Sequence, residues 1–289
     1  MRSDFFISLT FAAFAVAMPA AQAKGLPAQY DCQARIAASD TAPPADPADP
    51  DHWQCTAPTA PISTATYWQR HSLEYCRLTA SVYDEAATAA SRMKAAHGYK
   101  PHGWIVLMDA DETVLDNSLD QVQSDECPEP AFNARKWESW IHARATPDGP
   151  QGMAMDVPGA AAFTRRIHAM GGLVAIVTNR DVADDAITRD NLKRVGIWFD
   201  YEIGQDASKP DEKKNKLSRW QGAVASLDAR FHTKAKAVLW LGDQVTDLAL
   251  TGPGGDMVGV MSQSDPGAGI GVNRFLLPNP MYGNWQPHH

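Results

Sequence analysis

Three short apolar runs, each stopping abruptly at polar residues, set the rhythm of this chain. Residues 105–108 (I-V-L-M) run into Asp109 and Asp111, residues 173–177 (L-V-A-I-V) into Thr178 and Asn179, and residues 237–241 (A-V-L-W-L) into Gly242, Asp243 and Asp247. Unbroken runs this short read as strands buried on both faces, as in parallel sheets. Helical periodicity fills the intervals. Residues 64–97 place Trp68, Leu73, Tyr75, Leu78, Val82 and Tyr83 at helical spacing, and Gly98 with Pro101 stops the run. Phe132, Trp137, Trp140 and Ile141 share that spacing within 118–155. Further helices are predicted over 158–170, 184–195 and 212–227, the last with a basic start, K-K-N-K. Strands alternating with helices imply an α/β fold around a parallel sheet. There are no internal repeats.

Composition adds limits. The chain has 289 residues, 44% hydrophobic and 21% charged, enough for one sizeable α/β domain with an accessory piece. A net charge of -8 argues against a nucleic-acid polymer or an anionic membrane surface as partner. Residues 1–23 read as a cleaved leader: Arg2, an apolar stretch from Phe5 to Met18, then Ala21-Gln22-Ala23. That stretch falls short of the roughly 20 residues of a spanning helix, so a periplasmic or secreted protein without a stable membrane anchor is expected. Residues 24–62, rich in Pro, Ala and Asp, read as an extended arm with no chemistry of its own.

Export colours the cysteines. Cys32, Cys55, Cys76 and Cys127 suggest two disulfides, with three connectivities open. Cys32 with Cys55 is the first expectation, since it would staple the arm, and Cys76 with Cys127 would follow.

The chemistry is expected where the apolar runs end. In open α/β sheets the ligand crevice lies beyond the carboxyl ends of the strands. Asp109 and Asp111, two apart, project to the same side of an extended backbone. Two carboxylates that close repel unless a cation neutralises them or one keeps a proton. A divalent cation together with a phosphoryl group would satisfy both.

At D-x-D-E-T-V-L-D-N (109–117) the chain resembles the first motif of the haloacid dehalogenase (HAD) superfamily, and within it the class C acid phosphatases of subfamily IIIB. The resemblance runs from about Trp68 to Trp285. It takes in W-x-x-x-S-x-E-Y (68–75), W-x-x-W-x-x-A-R (137–144), V-P-G-A (157–160), V-T-N-R (177–180), N-K-x-x-R (215–219), G-D-x-x-x-D (242–247) and L-P-N-x-x-Y-G-x-W (277–285). The bacterial surface 5′-nucleotidase lipoproteins of that class are the most similar in pattern.

The resemblance implies a HAD-like Rossmannoid three-layer core, about 100–116 and 156–289, within a domain spanning 63–289. A small helical cap would come from about 64–97 and 117–155. It implies Asp109 as nucleophile, Asp111 as general acid and base, and Thr178, Asn179 and Lys216 around the phosphoryl group. Mg²⁺ would be held by Asp109, the Asp111 backbone carbonyl, Asp243 and Asp247. Trp137 or Trp140 and Tyr282 become candidates for stacking a nucleoside base. Small phosphate esters are thus the expected partners, nucleoside 5′-monophosphates first, with a broad phosphatase as the alternative. The lipid-attachment cysteine of those relatives is missing, and Leu119-Asp120 stands where they often carry an aromatic residue.

Overall fold

The computed structural model describes residues 30–39, 53–144, 152–209, 216–248, 269–283 and 285–286. The leader, most of the arm, the start of the helix expected from Glu212 and the Gly-rich stretch after Leu250 lie outside the described residues.

β1 (Trp104–Met108) is the spine of the fold, with all five residues buried. β4 (Leu173–Asp181) and β6 (Lys236–Gly242) flank it, β5 (Tyr201–Gln205) adds beside β4, and β7 (Arg274–Leu276) adds beside β6. The order is β5-β4-β1-β6-β7, and every neighbouring pair is parallel. The chain builds outward from β1 on one side and then returns to the other. This reversal leaves a crevice at the carboxyl end of β1, between β4 and β6.

Successive residues of β1 feed opposite faces, as the two-residue repeat of a strand requires. Trp104, Val106 and Met108 join one apolar cluster, with Tyr83, Ala86 and Ala90 of α3 (Leu73–His97) and Phe163 and Ile167 of α6 (Ala160–Ala169). Ile105 and Leu107 join the other, with Trp220, Ala223 and Leu227 of α8 (Leu217–Phe231). Helices on both faces of a parallel sheet make the three-layer architecture that was expected. α3 ends as its sequence predicts: Gly98, at φ 62°, adopts the left-handed conformation that caps a helix. This helix, assigned above to a cap, packs against the sheet face.

A smaller excursion leaves and rejoins the core. β2 (Leu115–Asp116) and β3 (Met155–Asp156) pair antiparallel, and between them run α4 (Ser118–Glu126) and α5 (Ala134–His142).

The disulfides differ from the first expectation. Cys32 pairs with Cys76, and Cys55 with Cys127. The arm is not merely extended. It forms α1 (Cys32–Ser39), which lies against α3, and residues 53–60 run beside the end of α4, where the Thr59 N–H donates to the Glu126 carbonyl at 2.8 Å. Both bridges therefore tie arm to domain. Spacing alone cannot fix a pairing that depends on where Cα atoms meet in space.

Edge strand β5 hides a carboxylate. Glu202 is buried, with Oε2 accepting from Arg189 at 2.9 Å. Burial, and then the charge of Asp185, push its carboxyl up to about 8. The folded protein thus keeps a proton that the unfolded chain loses near its ordinary pKa of about 4.3, so stability falls as pH rises from there through about 8. Glu202→Gln is expected to flatten the decline in melting temperature between about pH 5 and pH 8. Circular dichroism melts across that range check it; an unchanged slope would assign the decline to other groups.

Candidate active site

The polar ends of three central strands meet in the crevice. Asp109 follows β1 directly and is seated by its own N–H, which donates to the Leu241 carbonyl of β6 at 3.0 Å. Asp243 follows β6, and Asp247 sits in the short 3-10 turn after it. That turn folds back onto Gly242 so closely that a Cβ there would lie 2.1 Å from the Asp247 Cβ. Only glycine admits this approach.

Lys216, at the N-terminal cap of α8, is the cation of the group. Its Nζ lies 2.5 Å from Asp109 Oδ1 and 2.7 Å from Asp247 Oδ1, and the side chain is buried. Carboxylate oxygens of Asp109, Asp243 and Asp247 all fall within 4.8 Å of one another. Asn279, from the L-P-N segment, donates to Asp243 Oδ2 at 2.9 Å.

Three carboxylates facing one ammonium leave negative charge in excess. Burial first, then Asp247 and Asp111, push the Asp109 carboxyl up to about 7 against the pull of Lys216. Burial, then Asp247 and Asp109, hold Asp243 well above its ordinary range. Burial works to lower the Lys216 ammonium, yet Asp109 and Asp247 outweigh it and raise its pKa. A hard-oxygen donor set short of positive charge suits a divalent cation such as Mg²⁺.

Asp111 stands apart from that cluster. Arg180 Nη2 donates to its Oδ1 at 2.7 Å and Asn117 Nδ2 donates to the same oxygen at 2.8 Å. Oδ2 is held more loosely, by Arg180 Nε at 3.3 Å and the Thr178 hydroxyl at 3.5 Å. Thr178 and Arg180 share one face of β4 because they are two apart. Asn117 in turn accepts from Trp140 Nε1 at 2.9 Å and from Arg180 Nη2 at 3.2 Å. Asn179 points its side chain to Arg219, whose Nη2 donates to Oδ1 at 2.7 Å.

The site opens into a cavity of about 680 Å³. Asp109, Asp111, Asn179, Arg180 and Asp243 form its floor. Its walls come from α4 (Asp120), the link to α5 (Phe132), α5 (Lys136, Trp137), the turn after β6 (Gln244) and the C-terminal tail (Tyr282). Of the residues proposed to stack a base, Trp137 and Tyr282 line this space. Trp140 does not: it is 1% exposed, edge-on to Trp53 at 4.9 Å and hydrogen-bonded to Asn117. Helical spacing cannot separate the inward face of α5 from the face turned to a cavity. Arg180, Asn117 and Asn279 stood within the quoted motifs with no role attached. Their contribution is visible only as hydrogen bonds to Asp111 and Asp243.

Residues 44–285 match the family HAD superfamily, subfamily IIIB (Acid phosphatase). The chain belongs to that subfamily. It is accordingly a phosphomonoesterase on a HAD-like fold. Solved structures agree. The class C acid phosphatase from Bacillus anthracis is 25% identical with a TM-score of 0.57, over 76% of this chain and 84% of that one. The same protein with tungstate bound gives a TM-score of 0.56 at 25% identity, with the same coverage of both chains. Among curated proteins none matches significantly.

Proposed function

We propose that this acid phosphatase works outside the cytoplasm, with Mg²⁺, on small phosphomonoesters through an aspartyl-phosphate on Asp109. The observation that carries the reading is the contact of 2.5 Å between Lys216 and Asp109 Oδ1 at the floor of the cavity. It fixes one carboxylate oxygen and leaves the other for an in-line approach to phosphorus. In the first step an Asp109 oxygen bonds to phosphorus as the ester P–O bond breaks, and Asp111 gives its proton to the departing alkoxide. In the second, water attacks the acyl phosphate, Asp111 takes the proton back, and Asp109 is freed as inorganic phosphate leaves. Arg180 and Asn117 anchor Asp111 Oδ1, so Oδ2 is the oxygen that exchanges the proton. The Thr178 hydroxyl, the Asn179 N–H and Lys216 serve the phosphoryl oxygens. Asp109, Asp243, Asp247 and the Asp111 carbonyl are the residues to hold Mg²⁺, which when bound supplies the positive charge that an anionic ester needs beside these carboxylates.

Trp137 and Tyr282 on the cavity wall support nucleoside 5′-monophosphates as substrates. Two disulfides support an oxidising compartment, and no helix among the described residues is long and apolar enough to cross a membrane. The test is phosphate release from nucleotides, sugar phosphates and aryl phosphates, with Mg²⁺ and with chelator, and with tungstate as an oxyanion competitor. Nucleotides turned over well ahead of the rest, with loss on chelation, support the reading. No release from any ester would sink it.

Asp120, a carboxylate on that same wall, bears on every anionic ester alike, nucleotide or not. Burial pushes it up to about 7, with Asp111 adding to the rise and Lys136 and Arg180 opposing it. Protonated, it tolerates an anionic ester; ionised, it repels one. The KM for an aryl phosphate is therefore expected to climb between about pH 6 and pH 8, and Asp120→Asn to remove most of that climb with kcat changed by less than about threefold. Steady-state kinetics across that range decide it. A climb that persists in the variant acquits Asp120.

A further inference from the structure

α1 lies ahead of the matched family region, which begins at residue 44, yet it reaches the back of the active site. Arg35 of α1 is buried and forms an ion pair with Asp116, whose side chain is fully buried. Arg35 Nη1 also meets the Met155 sulfur at 3.3 Å, and the Tyr30 hydroxyl donates to Asp156 Oδ2 at 3.3 Å. These three contacts grip both strands of the β2–β3 hairpin. Asp116 is held on its other side by Gln69 Nε2 at 3.2 Å and the Ser118 N–H at 2.8 Å. The next residue is Asn117, which donates to Asp111 Oδ1 at 2.8 Å. The Cys32–Cys76 bridge pins α1 to α3 within one helical turn of Arg35.

A lone carboxylate at Asp116 would be costly in this setting. Without Arg35 it must draw in water or take a proton, and either moves β2, the strand that leads directly into Asn117. Asp111 needs a fixed direction to protonate a leaving group, and small misplacements of such a group slow turnover without weakening substrate binding. We propose that Arg35 is a positioning residue: from the disulfide-anchored α1 it fixes Asp116, and through Asn117 the orientation of Asp111, so that full turnover requires the Cys32–Cys76 bridge. This rests on the phosphatase mechanism above only in assigning Asp111 its proton transfer.

The test compares the oxidised full chain with Arg35→Met, Arg35→Lys and a Cys32→Ser/Cys76→Ser variant, in kinetics on an aryl phosphate and in amide exchange over residues 111–118. Arg35→Met is expected to lower kcat by about tenfold or more, with KM within about threefold, and to speed exchange across that segment. Arg35→Lys restores most of both, and the disulfide variant behaves like Arg35→Met. Should Arg35→Met fail to fold, Arg35→Met/Asp116→Asn removes the pair without a stranded charge; with the tether from α1 still lost, it is expected to show the same faster exchange and a fall in kcat of at least about threefold. A folded variant with kcat within about twofold of the parent overturns the proposal. So does a fall in kcat with protection unchanged, because Arg35 would then act by another route. If the parent releases no phosphate, the phosphatase mechanism fails and exchange over 111–118 alone decides the positioning.

Discussion

Asp109→Asn is expected to slow phosphate release by about four to six orders of magnitude, the scale of loss when a covalent nucleophile is removed. Asparagine keeps the size of the side chain, and the Lys216 ammonium it no longer pairs with retains Asp247 at 2.7 Å, so no buried charge is left alone. Stability should hold or rise near neutral pH. The carboxyl it replaces is one that burial and the Asp247 and Asp111 charges already push up to about 7. A group held protonated past its ordinary range destabilises the folded state above its unfolded pKa, and the amide has no such dependence. Activity and melting temperature should therefore part company. Phosphate release and circular dichroism melts on one preparation measure both, and a residual rate above about a hundredth of the parent's would move the nucleophile elsewhere.

Lys216→Met is expected to do damage on both counts. The ammonium is buried between Asp109 and Asp247, at 2.5 and 2.7 Å. Removing one member of such an arrangement leaves buried charge without compensation and costs about 3–5 kcal/mol. Lost stabilisation of the phosphoryl group costs a further factor of about 10²–10³ in kcat. The sign with pH is testable. Asp109 in the variant lacks the pull that opposed burial, so it holds its proton to higher pH, and the deficit in stability should be smaller near pH 5 than near pH 8. Added Mg²⁺ should recover part of the melting temperature at the higher pH, because it brings charge to the same three carboxylates. A deficit flat with pH, and indifferent to Mg²⁺, would mean that Lys216 contributes packing and not charge.

The strands carrying this chemistry were legible because they are buried on both faces, which leaves an unbroken apolar run that ends where the polar site begins. β5 escaped notice because an edge strand alternates: Tyr201-Glu202-Ile203-Gly204-Gln205 buries a glutamate and a glycine, neither of which signals a strand. β2 and β3 are two residues each and exist only because they pair with one another. The floor of the site was readable as residue types at fixed offsets. Its walls were not, because the two tryptophans of α5, three apart, sit side by side on the helix, and only packing decides that Trp137 lines the cavity while Trp140 is entombed. The arm was misread for a related reason. Pro and Ala in excess hide α1, whose place depends on two distant partners, Cys76 and Asp116, that composition cannot reveal.

The β2–β3 pair has one more consequence. It closes the excursion of α4 and α5 at a single doorway, so the chain departs from the sheet and comes back at neighbouring positions. The segment that supplies one wall of the cavity is, in effect, a plug-in cartridge on a fixed engine. Exchange of residues 118–154 between family members that keep Cys127 for Cys55 and Trp140 for Asn117 is expected to shift the ranking of phosphate esters in a release assay while the reacting carboxylates stay put. Divergence within the family can then proceed by editing one interchangeable part.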